Sequence, residues 1–276
     1  MENETLPVKV ITSEPDTITE YFKKIVLYKS LIPVFAKRDL KVKYSQTWLG
    51  LGWTIVQPLT GLLIFTFFFG YVLNWKAEGL PYSLYVLSGL LGWNFFTYIV
   101  FQGINSVQES SHVIKKIYFP KAVLPLSKVL VALVELSISF LLIIPLLVWH
   151  EQALSWRIIF VPFIILFNTL IALFLVFITA ALSYRIRDLF HFVPFLLYFG
   201  IWITPVFFTK SILPQQIDFI WYFNPMASVI EAWRWCLFPS WEFNIGFVPA
   251  LLLILPLFVF GVYLYSKAEN NFSDFS

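Results

Sequence analysis

Residues Lys37 to Gly70 read KRDLKVKYSQTWLGLGWTIVQPLTGLLIFTFFFG, a dense basic segment that runs without a spacer into an apolar one. The first proline, Pro58, stands well inside the join. Basic sequence followed directly by apolar sequence of bilayer-crossing length marks the start of a membrane, with Lys37, Arg38, Lys41 and Lys43 held at one face. Gly50 and Gly52 fall at the turn from surface to span, where small residues ease a sharp change of direction.

Working outward, the same apolar texture continues to near the C-terminus. Apolar side chains make up 59% of the 276 residues, aromatics 20% and charged residues 13%, against roughly 25% charged in soluble domains. Such a composition cannot clothe a soluble surface and predicts an all-α integral membrane protein. The apolar runs are long and apolar on every side, which excludes a barrel of short alternating strands. The net charge of +3 resides beside apolar runs and carries no nucleic-acid signal. Cys236 is the single cysteine, so no intramolecular disulfide or thiolate cluster forms, and an inert apolar role is expected for it. The N-terminal region lacks the short apolar core of a secretory signal and is expected to stay uncleaved in the cytoplasm.

Residues 1–19, with Glu2, Glu4, Glu14, Asp16, Pro7 and Pro15, read as a loosely ordered tail, and 20–276 as one transmembrane domain. An interfacial amphipathic helix is expected over 20–48, broken or restarted at Pro33, with Leu31, Val34, Phe35, Val42 and Leu49 on one arc. Arg38 and Ser45 lie inside that arc, so a basic topology signal without a fixed helix is the alternative. Six spans are expected at about 51–73, 83–107, 123–148, 158–183, 190–209 and 245–266, each long enough to cross a core of about 30 Å. On this scheme Lys9, Lys23, Lys24, Lys29, Lys37, Arg38, Lys41, Lys43, Lys115, Lys116, Lys121, Lys128, Arg185, Arg187 and Lys267 fall on one side. Only Lys76, Arg157, Lys210 and Arg234 fall on the other, and the positive-inside rule then puts both termini in the cytoplasm.

Several stretches carry more specific signals. The loop from Asn105 to Ser127 is polar and basic, and Ser110 or Ser111 can cap a short helix over about 109–120 that ends before Pro120. It is either a handle for a soluble partner or a plain hairpin. Glu135 stands about midway along span three, where a charge must face protein or water; it is either functional or a protonated acid bonded to a neighbouring helix. No second buried charge is evident to complete a relay. Phe192, Phe195, Tyr198, Phe199 and Trp202 form an aromatic ridge at helical spacing on span five, and Phe65, Phe68 and Phe69 a similar cluster on span one. Such ridges serve either packing and lipid contact or the stacking of sugar rings. Residues 211–240, with Trp221, Asn224, Pro225, Glu231, Trp233 and Arg234, read as two half-helices dipping into the outer leaflet.

Catalytic and energy-coupling motifs are absent. No phosphate-binding G-x-x-x-x-G-K-[ST], H-E-x-x-H or G-x-S-x-G occurs, and His112, His150 and His191 are too scattered for a metal site. No cofactor, no metal and no enzymatic activity are expected on this chain. If it transports against a gradient, the engine lies on another polypeptide.

Four motifs in order, RDLKVKYSQTWLGLGWTIVQPL (38–59), KKIYFPKAVLPLS (115–127), RIRDLFHFVPFLL (185–197) and WYFNPMASVIEAWRW (221–235), resemble the permease subunit of type-2 ABC exporters. The likeness is to the branch that exports lipid-linked polysaccharide such as O-antigen, capsule or teichoic acid, and it runs from about Phe35 to the C-terminus. It implies a homodimer in the bacterial inner membrane, joined by two ATPase subunits that bind ATP and Mg. It also implies a coupling helix in which Ser111, His112, Lys115, Lys116 and Tyr118 meet the ATPase. Trp53, Phe65, Phe68, Phe69, Phe195, Tyr198, Phe199 and Trp202 become channel residues, and Trp221, Asn224, Pro225, Glu231 and Arg234 belong to an external gate. The alternatives are a drug or lipid exporter of the same type and a membrane enzyme acting on polyprenyl-linked sugars. Asn74–Tyr82 is too short for the external domain of some of those exporters, and Asp39, Asp188 and Asp218 are too isolated to hold a metal and diphosphate.

Overall fold

The computed structural model describes residues 17–45, 47–77, 79–109, 119–209 and 219–269. In chain order the helices are α1 (Ile18–Leu27), α2 (Leu31–Tyr44), α3 (Trp53–Phe65), α4 (Tyr82–Glu109), α5 (Val123–Phe140) and α6 (Ile143–Trp149). They continue with α7 (Val161–Ser183), α8 (Leu189–Gly200), α9 (Phe219–Phe223), α10 (Pro225–Leu237) and α11 (Val248–Ala268). Among the described residues there is no β-strand, only a bridge between Ala77 and Leu80.

Among the described residues, five helical stretches are long and apolar enough to cross a bilayer: Gly50–Val72, Tyr82–Gln108, Val123–Trp149, Trp156–Ser183 and Ile245–Ala268. Their ends fall within two residues of the boundaries read from hydropathy, because span-length apolar runs leave little freedom in placement. The first enters through a 3-10 turn at Gly50–Gly52 and ends in a π-helical segment, Thr66–Val72. Gly50 has φ of 50°, a left-handed conformation that costs a residue with a Cβ about 1–2 kcal/mol.

The spans are not equivalent. In α4 78% of the most apolar window is buried, against 11–28% in the other four, so α4 is the hub around which α3, α5, α7 and α10 pack. Close approach is built into it: a Cβ on Gly103 would stand 2.7 Å from Val176 Cγ2 on α7. The last span, α11, lies along α7. Its end is tied to α1 and to the chain just ahead of α5. Glu269 accepts from Tyr21 Oη of α1 and, at 2.8 Å, from the backbone N–H of Lys121 ahead of α5. Thr17 and Glu20 close a capping box at the start of α1, and that bonding to Thr17 holds the Glu20 carboxyl below its usual range.

The N-terminal helix is interrupted at Tyr28–Ser30 and restarts as α2 with Pro33 in its first turn, where its missing N–H would have no partner anyway. α2 packs along α5, with Phe35 and Leu31 against Phe119, Val123 and Leu124, and Lys128 of α5 reaching Asp39 at 2.6 Å. One expectation needs correction, that of the fifth apolar segment. Its helix ends at Gly200, with a 3-10 turn over Ile201–Ile203, and spans about 22 Å at 1.5 Å per residue, short of a core of about 30 Å. Thr204 to Thr209 continue as buried, non-helical chain. The stop follows from Pro205, which pushes Thr204 to φ −119°, ψ 137°.

Candidate functional site

The non-helical stretch sets a problem that its neighbours solve. Backbone carbonyls away from water must find donors, and irregular chain at membrane depth is tolerated only inside protein. Four successive carbonyls are taken up by three side chains. Arg234 Nη2 donates to the Pro205 and Val206 carbonyls at 2.5 and 3.0 Å, Tyr82 Oη to Phe207 at 2.6 Å, and Tyr85 Oη to Phe208 at 2.7 Å. Arg234 is completely buried on α10; its Nη1 donates to Glu231 at 2.6 Å, and its guanidinium lies 3.5 Å from the centre of the Tyr85 ring. Trp241 Nε1 completes the carboxylate at 2.9 Å. Asn224 caps α10, accepting from Met226 N and Ala227 N, while its amide reaches Thr204 Oγ1 at 3.2 Å. Pro225 follows at the first helical position, and Trp221 packs on Phe208. Glu231, Arg234 and Asn224, grouped in the sequence as gate residues, thus hold α10 to the broken end of the fifth segment.

The aromatic residues of spans one and five come together. Phe69 and Trp202 lie 6.5 Å apart between ring centres, and Phe207 joins them, stacked on Phe65 at 4.5 Å and edge-on to Trp202 at 4.8 Å. Phe195 meets Phe199 at 5.0 Å, and Tyr198 meets Phe101 of α4 at 5.7 Å. Much of this surface is uncovered: Phe68, Phe195, Phe199 and Trp202 are each more than half exposed and Tyr198 70% exposed. Trp53 is exposed as well but makes no ring contact among the described residues.

Glu135 is not alone. Lys43 Nζ of α2 lies 2.5 Å from its Oε1, and Tyr44 Oη donates to the same oxygen at 2.7 Å. Burial and the carboxylate beside it push the Tyr44 phenol well above its usual range. Lys43 also lies over the Tyr98 ring at 4.4 Å. The partner escaped notice because helical periodicity cannot tell which lysine of a basic run folds inward.

Ser111, His112, Lys115, Lys116 and Tyr118 lie outside the described residues, as do positions 211–218 of the expected gate. No group of three or more His, Cys, Asp or Glu able to hold a metal occurs among the described residues, and Cys236 is free and buried. Phe207, Tyr82 and Tyr85 went unmarked in the sequence. The sequence signal at that place is Pro205, near the end of the fifth apolar run, since a proline kinks or ends a helix and leaves backbone carbonyls to be satisfied otherwise.

With five bilayer-length helices among the described residues and a sixth, broken segment clamped by a buried arginine, this is a multi-pass membrane protein. The profile of the ABC-2 type transporter family matches residues 30–238, and the chain belongs to that family. Its similarity extends to the O-antigen export system permease protein RfbA of Klebsiella pneumoniae, 28% identical over 251 residues covering 88% of this chain and 94% of that one. The protein of the same name from Myxococcus xanthus is 28% identical over 214 residues, covering 77% and 82%. The polysialic acid transport protein KpsM of Escherichia coli is 22% identical over 243 residues, covering 84% and 91%.

Proposed function

We propose that this chain is the channel-forming permease subunit of an ATP-driven exporter that moves a lipid-linked, O-antigen-like polysaccharide across the bacterial inner membrane. Two copies form the channel, two separate ATP-binding subunits supply the energy, and both termini face the cytoplasm. The observation that carries the reading is the joined aromatic surface of Gly50–Val72 and Leu189–Ile203. The first of these spans has only 11% of its apolar window buried in its own chain, and the two share a run of rings through Phe207. A polymer needs a path that binds weakly at many points, and ring stacking worth about 1 kcal/mol per contact meets that need. The names of the relatives support a polysaccharide over a drug. The likeness to a polysialic acid transporter favours a capsular polymer as the second reading.

Replacing Tyr198 and Trp202 together by Ala tests the path. Surface polysaccharide in cells should fall several-fold while the amount of membrane-inserted chain and its co-purification with the ATPase stay unchanged. Unaltered export would reduce the ridge to packing. Lys115→Glu with Lys116→Glu should abolish co-purification with the ATPase, and the purified chain alone should hydrolyse no ATP.

A further inference from the structure

A cavity of about 380 Å³ opens between α3, α4 and α5. Its α4 wall is a helical stripe, Asn94, Thr97, Tyr98, Phe101 and Gln102, at spacings that put all five on one face. Gln57 of α3 and Glu135 of α5 close the other sides. The amides of Gln57, Asn94 and Gln102 make no hydrogen bond among the described residues. Gln57 and Asn94 are exposed and Gln102 is half-buried, so their amides are open to whatever fills the cavity, water or a hydroxylated ligand.

Charge decides which ligand. The one carboxylate is already matched by Lys43 and Tyr44, so the lining offers neutral donors and acceptors and no net charge for an ion. Amides that both donate and accept, beside the rings of Tyr98 and Phe101, suit a sugar, whose hydroxyls hydrogen-bond while its C–H face packs on an aromatic ring. Position agrees with this. Phe101 forms part of the cavity wall and also lies 5.7 Å from Tyr198, so the cavity borders the aromatic ridge. Its volume, near the lower end of the roughly 300–1,000 Å³ of small-ligand sites, holds a short saccharide and not a longer stretch of chain.

We propose that this cavity is a hydrogen-bonding subsite for a neutral saccharide unit of the transported polymer, placed beside the stacking surface. The inference rests on the export reading above. In the mechanism it gives a sugar a second kind of contact, with hydroxyls held by Gln57, Asn94 and Gln102 while neighbouring rings slide over Tyr198.

The single native cysteine, Cys236, is fully buried, so a new thiol can be read against a low background. The transporter, permease with its ATPase, carrying Asn94→Cys in membrane vesicles should react with a water-soluble cationic methanethiosulfonate. Maltotriose should slow that reaction several-fold, and the same concentration of sodium phosphate should not. Gln57→Cys, on another helix, should behave alike and serves if Asn94→Cys fails to insert. No labelling would mean that lipid or a second copy of the chain fills the cavity, protection by phosphate alone would mean an anion site, and labelling indifferent to maltotriose would mean water only. Each of these results overturns the subsite. Deleting the chain separates the two readings. If export persists in cells without it, the export reading fails; if export stops but the thiol is unprotected by maltotriose, only the subsite fails.

Discussion

Two ion pairs of this chain stand in opposite surroundings. Arg234 and Glu231 lie three residues apart on one helix, with the guanidinium wholly buried and donating to three backbone carbonyls besides the carboxylate. Lys43 and Glu135 belong to different helices, and the lysine keeps 36% of its side-chain surface exposed. The first pair stands in for a helix that Pro205 interrupts, and its donors replace N–H groups that a continuous span would have supplied. The second joins a peripheral helix to the body of the bundle. Burial makes the first indispensable, because removing one partner leaves both a charge and several carbonyls without solvation. Exposure lets the second open and close at small cost.

The contrast breaks most sharply at Arg234. Arg234→Ala should destabilise the folded chain by about 3–5 kcal/mol, the range for breaking a buried pair, and should be seen as loss of monodisperse protein after detergent extraction. Arg234→Met with Glu231→Leu should recover part of that loss by removing the stranded carboxylate. If the single variant purifies normally, the carbonyls of Pro205 and Val206 have water and the clamp is dispensable. Next in size is Gly89→Ala. A Cβ there would stand 2.5 Å from the Val206 carbonyl oxygen and 3.0 Å from Arg234 Nη2, so the clamp would have to shift. Overpacking of this kind costs about 1–3 kcal/mol, and the apparent unfolding temperature of the purified complex reads it. Gly52→Ala, whose Cβ would meet only Leu49 at 3.5 Å, should leave that temperature unchanged.

The same contrast explains what could be read in advance. Five of the six expected spans were legible to within two residues because their signal is a sum over about 20 side chains. Aromatic spacing likewise marked ridges on two separate helices, but not that Phe69 and Trp202 would meet and share Phe207. Side chains that act through one partner were not legible. Nothing distinguishes Lys43 from Lys41 in the segment KVKY except the neighbouring α5, and Glu135 therefore read as solitary. Pro205 announced an end to the helix but not that Tyr82 and Tyr85, over a hundred residues earlier, would donate to the carbonyls beyond it. The polar stripe from Asn94 to Gln102 was present at helical spacing, yet the intervening Phe95, Phe96, Ile99 and Val100 submerged it in an apolar average. Residues 110–118, which resemblance makes the ATPase contact, rest on sequence alone.

The peripheral pair sets the smallest effect and the finest test. Glu135→Gln removes the charge but keeps an acceptor for Tyr44 and for Lys43, so the loss should stay at or below about 1 kcal/mol given the exposure of the lysine. Lys43→Gln should cost a similar amount, and the double variant should cost less than the sum, leaving a coupling energy of about 0.5 kcal/mol or more for residues in contact. Thermal unfolding of the four proteins in one detergent gives the cycle. A coupling of zero would mean that the two side chains are held side by side by the packing of α2 on α5 and contribute nothing to each other. Coupling as strong as that of Arg234 with Glu231 would mean that Lys43 is shielded from water in the assembled membrane, and the distinction between a clamp and an openable joint would disappear.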